Sequence, residues 1–199
     1  MSGATPTPQP HGDIVSFDDE PLIVVNEANE IIDHLPKAAC HEGEGILHRA
    51  FSVFLFDDVG RVLLQQRSGT KPLWPLTWSN ACCSHPRRGE DLETAAARRM
   101  REELGLATPL TYVYTFQYHA RYKDLGSERE VCAVFLGRSP GPITANPTEI
   151  EAHRWLDIER FEDELVSNPD AYTPWMKMEW KALRTTYAEA LAPFLQPAS

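Results

Sequence analysis

Apolar and polar positions change period several times along the chain, and each change marks an element. Residues 22–25 and 30–34 flank Asn26-Glu27-Ala28-Asn29 and predict a short hairpin. Residues 47–56 and 61–67 contain near-continuous apolar runs joined by Asp57-Asp58-Val59-Gly60, which suits strands covered on both faces. The period then turns helical. Leu92, Ala96, Met100 and Leu104 repeat every four residues, Gly89-Glu90-Asp91 supplies the start and Gly105 the stop. Tyr112, Tyr114, Phe116, Tyr118 and Tyr122 alternate at period two and predict a strand with one aromatic face. Its partner is expected at 128–137, a further strand at 151–156, a short helix at 158–166 and a last helix from 173 to about 191. The stretches 37–45 and 139–147 read as loops. No internal repeat is present. Strands, one helix, more strands and then helices predict an α/β domain with a mixed sheet.

Composition narrows the classes. A chain of 199 residues suits one domain, expected over 19–199, behind a Pro/Thr/Gly-rich tail at 1–18 read as flexible. A net charge of −10 argues against general nucleic-acid binding, which needs basic surface against phosphate. No apolar run approaches the roughly 18 residues of a membrane span. The first residues have neither a hydrophobic signal core nor an arginine-rich amphipathic pattern. Four cysteines (40, 82, 83 and 132) form neither a CxxC pair nor a disulfide scaffold. A cytoplasmic protein with reduced thiols, working as a monomer on a small molecule, is the expectation.

Some residues suggest chemistry by position alone. Arg99 and Glu103 lie one helical turn apart, a spacing that by itself favours an exposed ion pair over a site. Glu128 and Glu130 share one face of a strand and repel unless a cation or a shared proton relieves them. Cys82 and Cys83 are neighbours and are expected to point different ways.

The helix and its flanks resemble the Nudix box, G-x5-E-x7-R-E-U-x-E-E-x-G-U, through Glu90, Arg98, Met100, Glu102, Glu103, Gly105 and Leu106. Ser84 stands where the first glycine belongs, and Arg99 replaces the glutamate after the first arginine. In Nudix hydrolases that glutamate helps hold magnesium, so a cation there argues against diphosphate hydrolysis. The preceding TWSNACCSHP resembles the TNxxCxHP signature of type 1 isopentenyl-diphosphate isomerases, with Ser79-Asn80, Cys83, His85 and Pro86 in register. Further segments of that family recur in order: Lys37 with His41, LHRAFSVFLF around His48, QQRSGTKPLWP with Arg67 and Lys71, ERE at 128–130, and TPWM at 173–176.

The resemblance implies a Nudix-like α/β/α sandwich with a mixed sheet and the Nudix loop-helix-loop. It implies interconversion of isopentenyl and dimethylallyl diphosphates through a tertiary carbocation, a step of isoprenoid biosynthesis. His41, His48, His85, Glu128 and Glu130 correspond to ligands of one divalent ion, for which manganese, zinc or magnesium suits mixed imidazole and carboxylate donors. Glu103 corresponds to the residue holding a magnesium ion against the diphosphate. Lys37, Arg67, Lys71 and Arg99 correspond to the diphosphate-binding cations. Cys83 and Glu130 are the implied proton-transfer pair, with Tyr118 hydrogen-bonded near the glutamate and Trp175 lying over the cation. The expected sense is delivery by Glu130 with Tyr118 and removal by a Cys83 thiolate. Trp74 and Trp78 read as packing residues, and His11, His34, His119 and His153 fit no site. One alternative is a Nudix pyrophosphohydrolase on nucleotide or prenyl diphosphates, which lacks its acid at position 99. The other is a binding module, which leaves Cys83, Glu130 and Trp175 without a use.

Overall fold

A computed structural model describes residues 12–197; the first eleven residues of the expected tail lie outside the described residues. The centre of the sheet is β3 (His48–Phe56). It runs parallel to β8 (Gly126–Arg138), in register from His48 opposite Glu130 to Phe56 opposite Arg138. It pairs antiparallel with the short β6 (Cys82–Ser84) and meets β1 (Pro21–Val25) and β4 (Val62–Arg67) at its two ends. Beyond these, β2 (Ile31–Pro36) pairs with β1, β7 (Leu110–Tyr122) with β8, and β5 (Trp78–Ser79) and β9 (Ile150–Leu156) with β4. The result is a mixed nine-stranded sheet.

Strand period sorts β3 onto two faces. Phe51, Val53 and Leu55 pack with Ala95, Ala96, Met100 and Leu104 of α2 (Leu92–Leu104). Ala50, Phe54 and Phe56 pack with Phe161 of α3 (Ile158–Ser167) and Met176, Trp180 and Leu183 of α4 (Pro174–Thr185). Helices therefore cover both faces, and the sandwich is of the α/β/α kind. Truncating a fully buried packing residue such as Met100 to Ala would cost about 2–5 kcal/mol.

The box helix has the ends its sequence predicts. Asp91 caps it by accepting from the Thr94 N–H at 2.8 Å, and Gly105 closes it at φ 66° with its N–H on the Arg101 carbonyl. Arg98 clamps the preceding loop, donating to Glu90 at 2.8 and 2.9 Å and to Glu102 at 3.0 Å.

Three elements differ from the expectation, and residues 82–84, for which no element was expected, add a strand. Residues 37–45 begin with a one-turn helix, α1 (Lys37–His41), which puts Lys37 and His41 on one side, with the His41 Nδ1–H on the Lys37 carbonyl at 2.7 Å. The segment holding Cys83 is a strand, because it finds the free edge of β3. A bulge between Tyr112 and Tyr114 turns Tyr112 to the other face, against Phe135, so the aromatic alternation begins at Tyr114. The last helix ends at Thr185, and α5 (Ala188–Leu191) follows. At that break Tyr187 stacks on Tyr114 with centroids 4.2 Å apart.

Candidate active site

Strand register builds the site. Ser52 lies opposite Cys83 and Val53 opposite Cys82, so the adjacent cysteines leave opposite faces of the sheet. Cys82 joins the core under α2, whereas Cys83 faces the α4 side. On that same side His48 lies opposite Glu130, and Glu130 opposite Tyr118. Gly126 lets β8 approach α1: a Cβ there would meet the His41 carbonyl oxygen at 2.3 Å. These elements surround a cavity of about 610 Å³. Its wall carries Cys83, His85, Tyr118, Glu128, Glu130 and Trp175 together with Lys37, Arg67, Lys71 and Arg99.

His41, His48, His85, Glu128 and Glu130 converge, with one ligand atom from each within 4.8 Å of the others. The His41 and His48 Nδ1–H groups each donate to a backbone carbonyl at 2.7 Å, which turns both Nε2 atoms inward. His41 Nε2 lies 2.8 Å from Glu128, and His85 Nε2 lies 3.1 Å from Glu130. His48 Nε2 is buried without a hydrogen-bond partner. Three imidazoles and two carboxylates, buried or nearly so and with one nitrogen orphaned, fit a divalent metal ion. Burial opposes charge at His41, but Glu128 outweighs it and raises the His41 pKa. Burial and the two neighbouring imidazoles push His85 well down. Burial also raises Glu130, yet His48 and Tyr118 more than offset it, so Glu130 is held below the usual carboxylate value. Tyr118 donates to Glu130 at 2.7 Å.

Cys83 is held from three directions. Its thiol donates to Asn80 Oδ1 at 3.0 Å, the Trp175 indole N–H donates to the sulfur at 3.3 Å, and Ser52 Oγ lies 3.4 Å away. Asn80 is fixed in turn by the carbonyls of Val53 and Cys82. Burial pushes the thiol up to about 12, a direction that favours the protonated sulfur. Trp175 stands edge-on to Trp74 at 5.2 Å and 6.3 Å from the Tyr118 ring, giving the cavity an aromatic wall.

The cations form a second cluster. Arg99 reaches Glu103 at 2.6 Å, Glu149 at 3.2 Å and the Val15 carbonyl at 2.6 Å. Lys71 pairs with Glu149, and Lys37 donates to Ser16. Residues 13–16, read as part of the tail, thus bond to this rim. Arg67 lies over Trp175 at 5.4 Å but spends two donor nitrogens on the Leu73 and Trp74 carbonyls. Glu103 is 2% exposed, faces Arg99 and forms no part of the cavity wall. Glu149, 4% exposed and on the wall, escaped the sequence reading. Its one signal was position: an acid closing a Pro-broken loop just before a strand.

Residues 46–176 match the model of the NUDIX domain. The crystal structure of a Deinococcus radiodurans protein aligns with a TM-score of 0.61 at 22% identity, over 75% of this chain and 90% of that one, a likeness of fold. The isopentenyl-diphosphate Delta-isomerase of Nocardia farcinica is 42% identical over 85% of this chain and 98% of its own length. Isopentenyl-diphosphate Delta-isomerase 1 of Photorhabdus laumondii is 37% identical over 86% and 99%. Fold, box and relatives agree, and the chain belongs to the Nudix-type isopentenyl-diphosphate isomerases, type 1.

Proposed function

We propose that this chain interconverts isopentenyl and dimethylallyl diphosphates, with Cys83 and Glu130 as the proton-transfer pair. The observation that carries the reading is one cavity walled by Cys83 and by the Tyr118–Glu130 pair and rimmed by Lys37, Arg67, Lys71 and Arg99. Moving the double bond needs a proton placed on one carbon and another removed two bonds away. An unactivated alkene is a poor base, so donor and acceptor have to be held against it with water excluded.

The pair starts with one exchangeable proton. One member of the pair gives its proton to the terminal alkene carbon, its S–H or O–H bond breaking as the C–H bond forms. The other takes the proton from the far carbon, whose electrons form the new double bond. The resemblance assigns delivery to Glu130 with Tyr118 and removal to Cys83, and the reverse reaction exchanges the roles. The tertiary cation between the two transfers meets the indole of Trp175, and an aromatic face stabilises a desolvated cation by about 2 kcal/mol.

His41, His48, His85, Glu128 and Glu130 would hold the first divalent ion, with manganese, zinc or magnesium the candidates. Such an ion supplies positive charge that orients Glu130 and relieves its repulsion with Glu128. Glu103 would hold a magnesium ion arriving with the diphosphate, and would have to release Arg99 to do so. The acidic charge and four free thiols support a monomeric enzyme in the cytoplasm. No described helix is long and apolar enough to cross a membrane.

Hydrolysis is the reaction to set against this one. Arg99 occupies the position of a box carboxylate and neutralises Glu103 and Glu149, which favours gripping a diphosphate over splitting it. Incubation with isopentenyl diphosphate and divalent metal should yield dimethylallyl diphosphate without phosphate release. Phosphate release without isomer would contradict the reading.

A further inference from the structure

Thr173 stands at the start of α4, where a threonine ordinarily turns its hydroxyl onto the first free N–H groups of the helix. Here the hydroxyl makes no such cap. It turns instead to Ser79 of β5, oxygen to oxygen at 3.0 Å, while the Thr173 N–H donates to the Trp78 carbonyl at 2.9 Å. Ser79 is 1% exposed and Thr173 0%, so both hydroxyls lie away from bulk water. Ser79 Oγ also lies 3.0 Å from Asn80 Oδ1 and 3.9 Å from Cys83 Sγ. Neither hydroxyl has a part in the chemistry above.

The protons of this cluster fit one arrangement. The Asn80 amide nitrogen donates to the Val53 and Cys82 carbonyls at 3.1 and 3.3 Å, which fixes Oδ1 as the end facing Ser79 and Cys83. Oδ1 carries no proton, so the one in its 3.0 Å contact with Ser79 is the Ser79 proton. A hydroxyl has a single proton, so in the 3.0 Å contact between Ser79 and Thr173 it is Thr173 that donates. Oδ1 also accepts the Cys83 S–H at 3.0 Å. Two residues past Thr173, the Trp175 indole N–H reaches the same sulfur at 3.3 Å. The hydroxyl pair therefore fastens the start of α4 to the segment of β5 and β6, and with it both an acceptor and a donor that meet Cys83. Neither Ser79 nor Thr173 is on the cavity wall, so each acts through these neighbours.

We propose that Ser79 and Thr173 are positioning residues for the isomerase reaction: their paired hydroxyls hold Asn80 Oδ1 and the Trp175 indole N–H on the sulfur of Cys83. The inference rests on the reading of Cys83 as a member of the proton-transfer pair.

The test compares Ser79→Ala, Thr173→Val, Thr173→Ser and the double variant Ser79→Ala/Thr173→Val with the wild-type enzyme loaded with divalent metal. It measures kcat and KM for isopentenyl diphosphate, Tm, and the tryptophan indole N–H resonances, with Trp175→Phe assigning that of Trp175. Ser79→Ala and Thr173→Val should each lower kcat at least about 10-fold with KM within about 2-fold. Thr173→Ser keeps the hydroxyl, so its kcat should stay within about 3-fold of wild type. Both single changes open the same contact, so the double variant should be at most about 3-fold slower than the slower single one, not slower by the product of the two. The Trp175 resonance should move in Ser79→Ala while those of Trp155 and Trp180 stay. Wild-type kcat in a folded Ser79→Ala, a Thr173→Ser as slow as Thr173→Val, losses that multiply, or an unmoved Trp175 resonance would each overturn the proposal. If Ser79→Ala does not fold, an unchanged kcat in Thr173→Val overturns it alone. A wild-type protein that folds, binds metal and turns nothing over would overturn both this inference and the isomerase reading.

Discussion

The indole nitrogen of Trp175 lies 3.3 Å from the sulfur of Cys83, with its N–H directed at that sulfur. A packing tryptophan does not need this contact; a sulfur that gains and loses a proton does. The hydrogen bond favours the thiolate and works against the upward push of burial on the thiol. Trp175→Phe keeps an aromatic ring edge-on to Trp74 and removes the donor. The expected result is kcat lowered about 10- to 100-fold, KM nearly unchanged and Tm within about 3 °C of wild type. Wild-type kcat would leave the N–H without a role.

Arg99 joins three carboxylates, those of Glu102, Glu103 and Glu149, and is itself 3% exposed. Arg99→Leu leaves Glu103 and Glu149 buried without their guanidinium. Loss of one partner from a buried pair costs about 3–5 kcal/mol. Urea unfolding should show a lowered midpoint at unchanged slope, and a midpoint equal to wild type would refute the assigned pairing.

Glu149 holds the ends of Lys71 and Arg99 over the cavity rim. Glu149→Gln keeps the shape and removes the charge that anchors them. We expect KM for isopentenyl diphosphate to rise about 10-fold with kcat within about 2-fold. A lower KM would mean that Glu149 acts mainly by repelling the diphosphate.

Much of this site was legible in the sequence because its residues occupy signature positions on regular elements. Period two alone puts Glu128 beside Glu130 and separates Cys83 from Cys82, and period 3.6 puts Arg99 beside Glu103. The misses have physical causes. The bulge beside Tyr112 leaves the aromatic alternation intact in the sequence while reversing one side chain in space. The break near Tyr187 is set by stacking on Tyr114, a contact between residues far apart in the chain. Glu149 and Glu179 look like ordinary surface acids, since nothing local reports that Arg99, Lys71 or Cys132 will fold against them. Glu179 did carry one signal: it lies four residues after Trp175 and so shares its helix face. The upward push on the Cys83 thiol comes from burial, which no motif encodes.

Glu179 also gives a pH dependence. Burial makes it hold its proton up to about pH 8 in the folded protein, against the ordinary carboxylate value of 4.5 in the unfolded chain. Folding between those values takes up a proton. The contribution is fully present below 4.5 and is lost as pH rises toward 8. Glu179→Gln lacks this loss, so its Tm relative to wild type should rise by about 5 °C or more between pH 5 and pH 8 and level off above. A constant difference would mean that Glu179 is already ionised in the fold.

Metal binding has a readout separate from turnover. Chelation should lower Tm by several degrees by leaving Glu128 and Glu130 to repel each other, and added manganese, zinc or magnesium should restore it. His48→Ala should abolish the metal-dependent rise in Tm. A metal response that survives in His48→Ala would place the ion elsewhere.

The most direct measurement is proton NMR of the protein with isopentenyl diphosphate and divalent metal in D2O, beside Cys83→Ala. The account predicts that dimethylallyl methyl signals grow with deuterium entering the new methyl group, and that both are lost in Cys83→Ala although the variant keeps its fold and its metal. Equal isomerisation by Cys83→Ala, or cleavage of the diphosphate with the alkene unmoved, would contradict it.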